Sequence, residues 1–179
     1  WGIGVLSHID TSIAQVQALI LCPSRELAIS STRVVASLGY FKDNLRCIHL
    51  VGGVSITDTV TSIRRGAQVI VGTPGRVYDM IHRGILDPAS IKMIVFDEVD
   101  ELLSHGFEDM LNAIFTMLVQ DGLQVAFFSA TLPPECLLMA QRMMINPIRI
   151  IVQPPPEKTL SGVLQFYVNC EEEQWKYDT

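Results

Sequence analysis

Long apolar runs are missing from this sequence: nowhere do about 18 apolar residues follow one another, so no membrane-spanning helix is expected. The first 30 or so residues have neither a basic start nor an apolar stretch, so no secretory leader is expected either. Cysteine is scarce. Cys22, Cys47, Cys136 and Cys170 are the four present, widely spaced and without a C-x-x-C pair, which points to buried thiols rather than zinc ligands or disulfides. Positive charge is also short: 13 basic against 19 acidic residues leave a net charge of −6. That balance excludes a protein that holds nucleic acid by bulk charge, so any such site has to be local. Repeats and low-complexity tracts are absent apart from three consecutive prolines. What is plentiful is apolar side chain, 49% of 179 residues, enough for one sizeable core but not for two. A cytoplasmic location is expected, with a nuclear one as the alternative.

The chain opens at Trp1 without a methionine, and Ile3, Val5, Leu6 and Ile9 already fall at helical spacing, so it is expected to begin inside a helix. Short β-branched runs then recur at Gln17–Cys22, Arg46–Val51, Gln68–Val71, Lys92–Phe96, Gln124–Phe128 and Ile148–Val152, and read as strands buried on both faces. Segments of helical length separate them at Ser24–Leu38, Ser55–Arg64, Gly75–His82, Phe107–Leu118 and Pro134–Met143. Such alternation predicts an α/β domain, a largely parallel sheet with helices on both faces, whose functional groups gather at the carboxyl ends of the strands. Beyond Val152, the run Gln153-Pro154-Pro155-Pro156-Glu157-Lys158 has the stiffness of a linker, and Leu164–Val168 reads as one more strand.

Five strand ends carry distinctive residues. Lys92–Phe96 terminates in Asp97-Glu98-Val99-Asp100, where a carboxylate leaving a buried strand suits Mg²⁺ and a neighbouring one can orient an attacking water. Gln124–Phe128 runs into Ser129-Ala130-Thr131, whose hydroxyls can bond a carboxylate on the adjacent strand end. Pro23-Ser24-Arg25 forms a strand-to-helix turn suited to a phosphate oxygen, and Gly52-Gly53 and Thr73-Pro74-Gly75-Arg76 offer close backbone approach and donors. Singly, each has an ordinary explanation: an acidic helix start, a capped helix, a solvated arginine or a plain turn.

In combination they resemble a family. PSRELA at 23–28, GG at 52–53, TPGR at 73–76, DEVD at 97–100 and SAT at 129–131 are similar, in order and spacing, to the motifs of the DEAD-box RNA helicases. The likeness runs the length of the chain and is strongest to translation-initiation members, through Gly72–Met80, Gly106-Phe107, Asn146–Ile150 and Gln165–Asn169. It implies a RecA-like fold and an ATP-dependent helicase acting on RNA, without sequence preference, in translation initiation. By that resemblance Asp97 holds the Mg²⁺ of ATP through water and Glu98 positions the attacking water. Asp100, Ser129 and Thr131 couple nucleotide state to RNA. Pro23, Arg25, Gly52, Gly53, Thr73, Gly75 and Arg76 line one RNA strand. A scaffold protein of translation initiation is the implied partner, and the monomer the implied state. Val99 departs from the family's alanine and Ser24 from its threonine.

The glycine-rich loop ending in Gly-Lys-Thr has no counterpart in these 179 residues. Residues 1–152 are therefore expected to form a first RecA-like domain lacking its phosphate-loop part, 153–163 a linker and 164–179 the opening of a second domain. The chain alone is expected not to hydrolyse ATP. Two other readings compete: a non-catalytic module that clamps RNA or a scaffold, and a DNA-directed motor, which PSRELA and TPGR beside DEVD disfavour. Caspase cleavage at Asp97–Asp100 is excluded by its place at a buried strand end.

Overall fold

In a computed structural model of the chain, residues 1–152, 164, 166–170 and 172–177 are described. Five of the expected apolar runs become strands: β1 (Ala18–Leu21), β2 (Cys47–Leu50), β3 (Val69–Gly72), β4 (Met93–Asp97) and β5 (Gln124–Phe128). All pair in parallel, in the order β2-β3-β1-β4-β5. In sequence order the chain leaves central β1 for the β2 edge, returns to β3 and then crosses to β4 and β5. Helices α1 (Gly2–His8), α2 (Arg25–Leu38), α3 (Ile56–Arg64), α4 (Pro74–His82), α5 (Val99–Ser104), α6 (Glu108–Leu118) and α7 (Pro134–Met143) surround the sheet.

The period of two along each strand divides the core between two layers. Ala18, Ile20 and Cys22 of the β1 segment, with Val69, Val71, Met93 and Val95, pack towards Val5, Leu6, Ala28 and Val35 of α1 and α2. Leu19, Leu21, Ile70, Ile94 and Phe96 face Val77, Met80, Leu102, Leu111, Ile114 and Met139 of α4–α7. Phe96 is fully buried, with Phe127 at 4.8 Å between ring centroids; burial of such a side chain contributes about 1.5–3 kcal/mol. With α2 and α4 covering opposite faces, the carboxyl ends of β1 and β4 open into the crevice where parallel sheets place their ligands.

Burial on both faces holds only for the inner strands. β1 and β3 are buried throughout, and β4 up to Asp97, whereas the edge strands β2 and β5 are half-exposed. Alternating β-branched residues do not reveal which strand ends up at an edge. Ile148–Val152 forms no strand: the first compact unit, Trp1–Ile145, ends before it, and Ile148, Ile150 and Val152 are 93%, 87% and 85% exposed. A strand is held by its neighbour's ladder, and none of the described residues pairs with this segment. The residues of 153–163 lie outside those described. Leu164 and Phe166–Val168 form no strand, Gln165 is outside the described residues, and a 3-10 turn at Glu173–Tyr177 follows. Among the described residues no helix is long and apolar enough to cross a membrane.

Candidate functional site

Register brings the motifs to one edge. Leu21 lies opposite both Gly72 and Phe96, Leu50 opposite Gly72, and Asp97 opposite Phe128. The turns that follow these residues therefore emerge side by side. Gly72 permits this approach: a Cβ there would lie 2.6 Å from Val77 Cγ2 and 2.8 Å from the Leu50 carbonyl oxygen. A cleft of about 390 Å³ opens among Pro23, Ser24, Glu98, Asp100, Glu101, His105 and Ala130, joining the ends of β1, β4 and β5.

Within DEVD the chain turns sharply from strand to helix. Glu98 caps α5 in the left-handed region, φ 54° and ψ 58°, a conformation that costs a non-glycine residue on the order of 1 kcal/mol. The kink keeps Val99 in the core and sends the exposed Glu98 towards the cleft. The two methyls that distinguish Val99 from alanine are thus fully buried within the larger layer.

Charge at this turn is uncompensated. Burial pushes the Asp97 carboxyl above the usual aspartate range, partly offset by hydrogen bonds from the Trp1 side chain and the Glu98 backbone N–H. Glu98 is pushed up as well, by desolvation first and then by Asp97, Glu101 and Asp100. No Lys, Arg or His forms an ion pair with either carboxylate among the described residues. Two adjacent carboxylates with excess negative charge fit a divalent cation. Among the described residues no group of three or more His, Cys, Asp or Glu side chains is placed to hold a metal, so protein ligands at this turn are limited to one or two carboxylates, a number that Mg²⁺ with its retained waters tolerates.

The raised Asp97 pKa has a consequence for stability. A carboxyl held above its unfolded value favours folding below that value and loses the contribution as pH rises through the folded one. Asp97→Asn is therefore expected to raise Tm at pH 7 by on the order of 2 °C, and the gain is expected to vanish below about pH 4. Thermal denaturation across that range checks it; a lower Tm for the variant at pH 7 would refute the assignment.

Asp100 behaves oppositely. Burial raises its pKa, but hydrogen bonds from Thr131 and Ser129 and from the backbone N–H groups of Thr131 and Glu101 outweigh it and hold the carboxyl below the usual range. Thr131 Oγ1 donates to Oδ2 at 2.6 Å and the Thr131 N–H at 3.1 Å, while the Asp100 N–H donates to Ser129 Oγ at 3.2 Å. The last residue of DEVD is thereby tied to both hydroxyls of SAT across the β4–β5 boundary.

A second cluster forms around β1, β2 and β3. Ser24 caps α2, accepting from the Leu27 N–H at 3.1 Å, and Arg25 projects beside Gly53. Gly53 has φ +77°, a conformation that favours glycine, and a Cβ on it would lie 2.6 Å from Arg25 Nη1, so the guanidinium would have to shift. Arg76 reaches the same loop from α4. Its Nε donates to the Val51 carbonyl at 3.0 Å and its Nη2 to the Val54 carbonyl. The sequence reads Arg76 as a phosphate contact, whereas here two of its donors tether the Gly52-Gly53 loop, leaving the rest of the guanidinium for a ligand. Gly52 and Gly75 are exposed with open space around them. Pro74 begins α4, and Thr73 precedes it without a side-chain cap bond.

The structure thus gathers the twelve residues into two groups, DEVD with SAT and the three turns around Arg25, with Pro23 bordering the shared cleft. Sequence reading missed Glu101 and His105 as cleft residues. Their i,i+4 spacing directly after DEVD was the available signal, and His105 Nδ1 lies 2.6 Å from the Glu101 carbonyl oxygen. Cys22 and Cys136 are buried as expected, whereas Cys47 and Cys170 are only half-buried. Burial, with Asp97 and Glu98 nearby, pushes Cys22 up to about 12.

Comparison with known proteins gives the family and the fold. Residues 1–139 match the family described as DEAD/DEAH box helicase. The chain is 46% identical over its whole length to "ATP-dependent RNA helicase eIF4A" of Pyricularia oryzae and 44% identical over 99% of its length to "Eukaryotic initiation factor 4A" of Caenorhabditis elegans. It spans 44% of each of these relatives. Its fold superposes on a DEAD box protein from the hyperthermophile Methanococcus jannaschii with a TM-score of 0.76 and 32% identity, over 81% of this chain and 39% of that one. A matched family over most of the sequence, an α/β fold shared with its solved members and five motifs on one sheet edge lead to one conclusion: the chain belongs to the DEAD/DEAH box helicase family.

Proposed function

We propose that the protein to which this chain belongs is an ATP-dependent RNA helicase that opens RNA secondary structure in translation initiation. The observation that carries the reading is the Asp100–Thr131–Ser129 junction, which ties the carboxylates of DEVD to the neighbouring strand end. A change of charge state or ligand at Asp97 and Glu98 then has a direct path to the segment after β5.

In this mechanism Asp97 would hold Mg²⁺, and Glu98, aimed into the cleft by its left-handed backbone, would hold the attacking water and accept its proton. Bound Mg²⁺·ATP supplies the scissile phosphoanhydride and the neutralisation of developing phosphate charge. Asp100, Ser129 and Thr131 set the position of the β5 end. Pro23, Arg25, Gly52, Gly53, Thr73, Gly75 and Arg76 hold an RNA strand by its sugar-phosphate chain, which makes binding independent of base. The phosphate cradle has no residues in this sequence, so the proposed ATP site draws on the rest of the protein, and residues 164–179 are proposed to open a second RecA-like domain. A scaffold protein of translation initiation is the proposed partner, the monomer the proposed state and the cytoplasm the proposed location.

The test is RNA-stimulated ATP hydrolysis with Mg²⁺ by the whole protein, run beside the 179-residue chain. Turnover by the whole protein alone is expected; silence from both sinks the enzyme reading in favour of an RNA clamp. Gly53→Ala separates the RNA turns from the chemistry. Its Cβ forces Arg25 aside and strains the backbone, so RNA affinity is expected to fall about 3- to 10-fold, with a stability cost of about 1 kcal/mol. Unchanged RNA affinity in an anisotropy titration would remove Arg25 and Gly53 from the RNA path.

A further inference from the structure

The chain is acidic overall, yet three arginines gather at the amino end of β2 and β3, away from the cleft. Arg46 precedes β2, and its Nη1 donates to the Arg65 carbonyl at 3.1 Å, while Gln68 Oε1 accepts from the Arg46 N–H at 2.8 Å and fixes its backbone. Arg64 ends α3 and Arg65 caps it. All three are exposed, and none forms an ion pair with a carboxylate among the described residues. A basic last turn complements the helix dipole, but that accounts for one charge on α3 and not for Arg46 brought against it.

Helix α3 connects this patch to the turns already described. It starts three residues after Gly52-Gly53 and runs about 14 Å to the arginines, the span of a few phosphates along a strand. Thr57, Thr61, Arg64 and Arg65 fall at helical spacing on one exposed face, and Asp58 is the sole acidic residue of α3, about two turns from the arginines. That face carries hydroxyls and guanidinium groups without an aromatic anchor, which suits a phosphate chain better than a protein interface.

We propose that Arg46, Arg64 and Arg65 form a second phosphate-binding patch, which takes the RNA strand leaving the Arg25–Gly53 turn along the exposed face of α3. The inference rests on the RNA reading above and deepens it: the protein contacts more nucleotides than its motif turns alone can reach.

The test uses the whole protein with Mg²⁺ and a non-hydrolysable ATP analogue, titrated against oligouridylates of about 8 and about 20 nucleotides at several salt concentrations. Each phosphate contact on a single strand contributes about 0.7 to the slope of log K against log salt, so three arginines contribute about 2. The wild type is expected to bind the longer RNA with the steeper slope. Combined R46A, R64A and R65A substitutions are expected to abolish that excess slope and lower affinity for the longer RNA about 10- to 100-fold near 0.1 M salt, leaving the shorter RNA unaffected. R64A with R65A alone is expected to remove about two thirds of the excess. Unchanged slope and affinity for the longer RNA in folded variants overturn the proposal, as does loss of binding to polyglutamate in place of RNA, which would mark a site for acidic protein segments. Failure of the wild type to bind even the shorter RNA would instead count against the function proposed above.

Discussion

Glu98→Gln in the whole protein is expected to lower RNA-stimulated ATP turnover by at least about 100-fold while ATP-dependent RNA binding stays within about twofold of the wild type. The carboxamide keeps the size of the side chain and the backbone at φ 54°, but it cannot accept a proton from water. The surroundings sharpen the expectation. Desolvation and the carboxylates of Asp97, Glu101 and Asp100 push the Glu98 pKa up, so the wild-type rate is expected to fall on the acid side at a higher pH than an ordinary glutamate would give. That acid limb is expected to be absent from the residual activity of the variant. Undiminished turnover would remove Glu98 from the role of base; a loss of RNA binding equal to the loss of turnover would make it structural.

Thr131→Val is expected to cut unwinding about 10- to 100-fold while basal ATP hydrolysis falls far less. The substitution preserves shape and deletes one donor, the 2.6 Å hydrogen bond to Asp100 Oδ2. A hydrogen bond to a charged acceptor contributes about 1.5–3 kcal/mol, and each 1.4 kcal/mol or so is a factor of ten, which sets the range. Because both residues belong to one junction, the effects of Thr131→Val and Asp100→Ala should not add: the double variant should be little worse than either single one. Strictly additive losses would mean that DEVD and SAT act separately, and the proposed coupling through Asp100 would be wrong.

Much of this site is legible in the sequence. Parallel β/α alternation sends every strand's carboxyl end to the same edge, so Asp97, Ser129, Pro23, Gly52 and Thr73, each just past an apolar run, had to be neighbours. Donor commitment was not legible. Arg76 looks like a free phosphate ligand in sequence, and only the return of α4 against the β2–α3 loop spends two of its donors on the carbonyls of Val51 and Val54. Likewise, nothing in Arg46, 19 residues before Arg65, indicates that its guanidinium meets the Arg65 carbonyl.

Edges and ends divide in the same way. Apolar alternation marks Gln124–Phe128 and Ile148–Val152 equally as strands, because β propensity measures fit to a pleated surface and not the presence of a partner. The first finds β4 and joins the sheet; the second finds no ladder among the described residues and stays exposed to solvent. Fold class, the order of the motifs and their gathering at one edge all follow from periodicity and chain connectivity, which are local and topological properties. Tertiary structure alone decided which strands lie at the edges, that Glu98 takes the left-handed turn into the cleft, and which arginines keep donors for a ligand. Those outcomes depend on pairing and packing between residues distant in sequence, which exist only once the layers have come together.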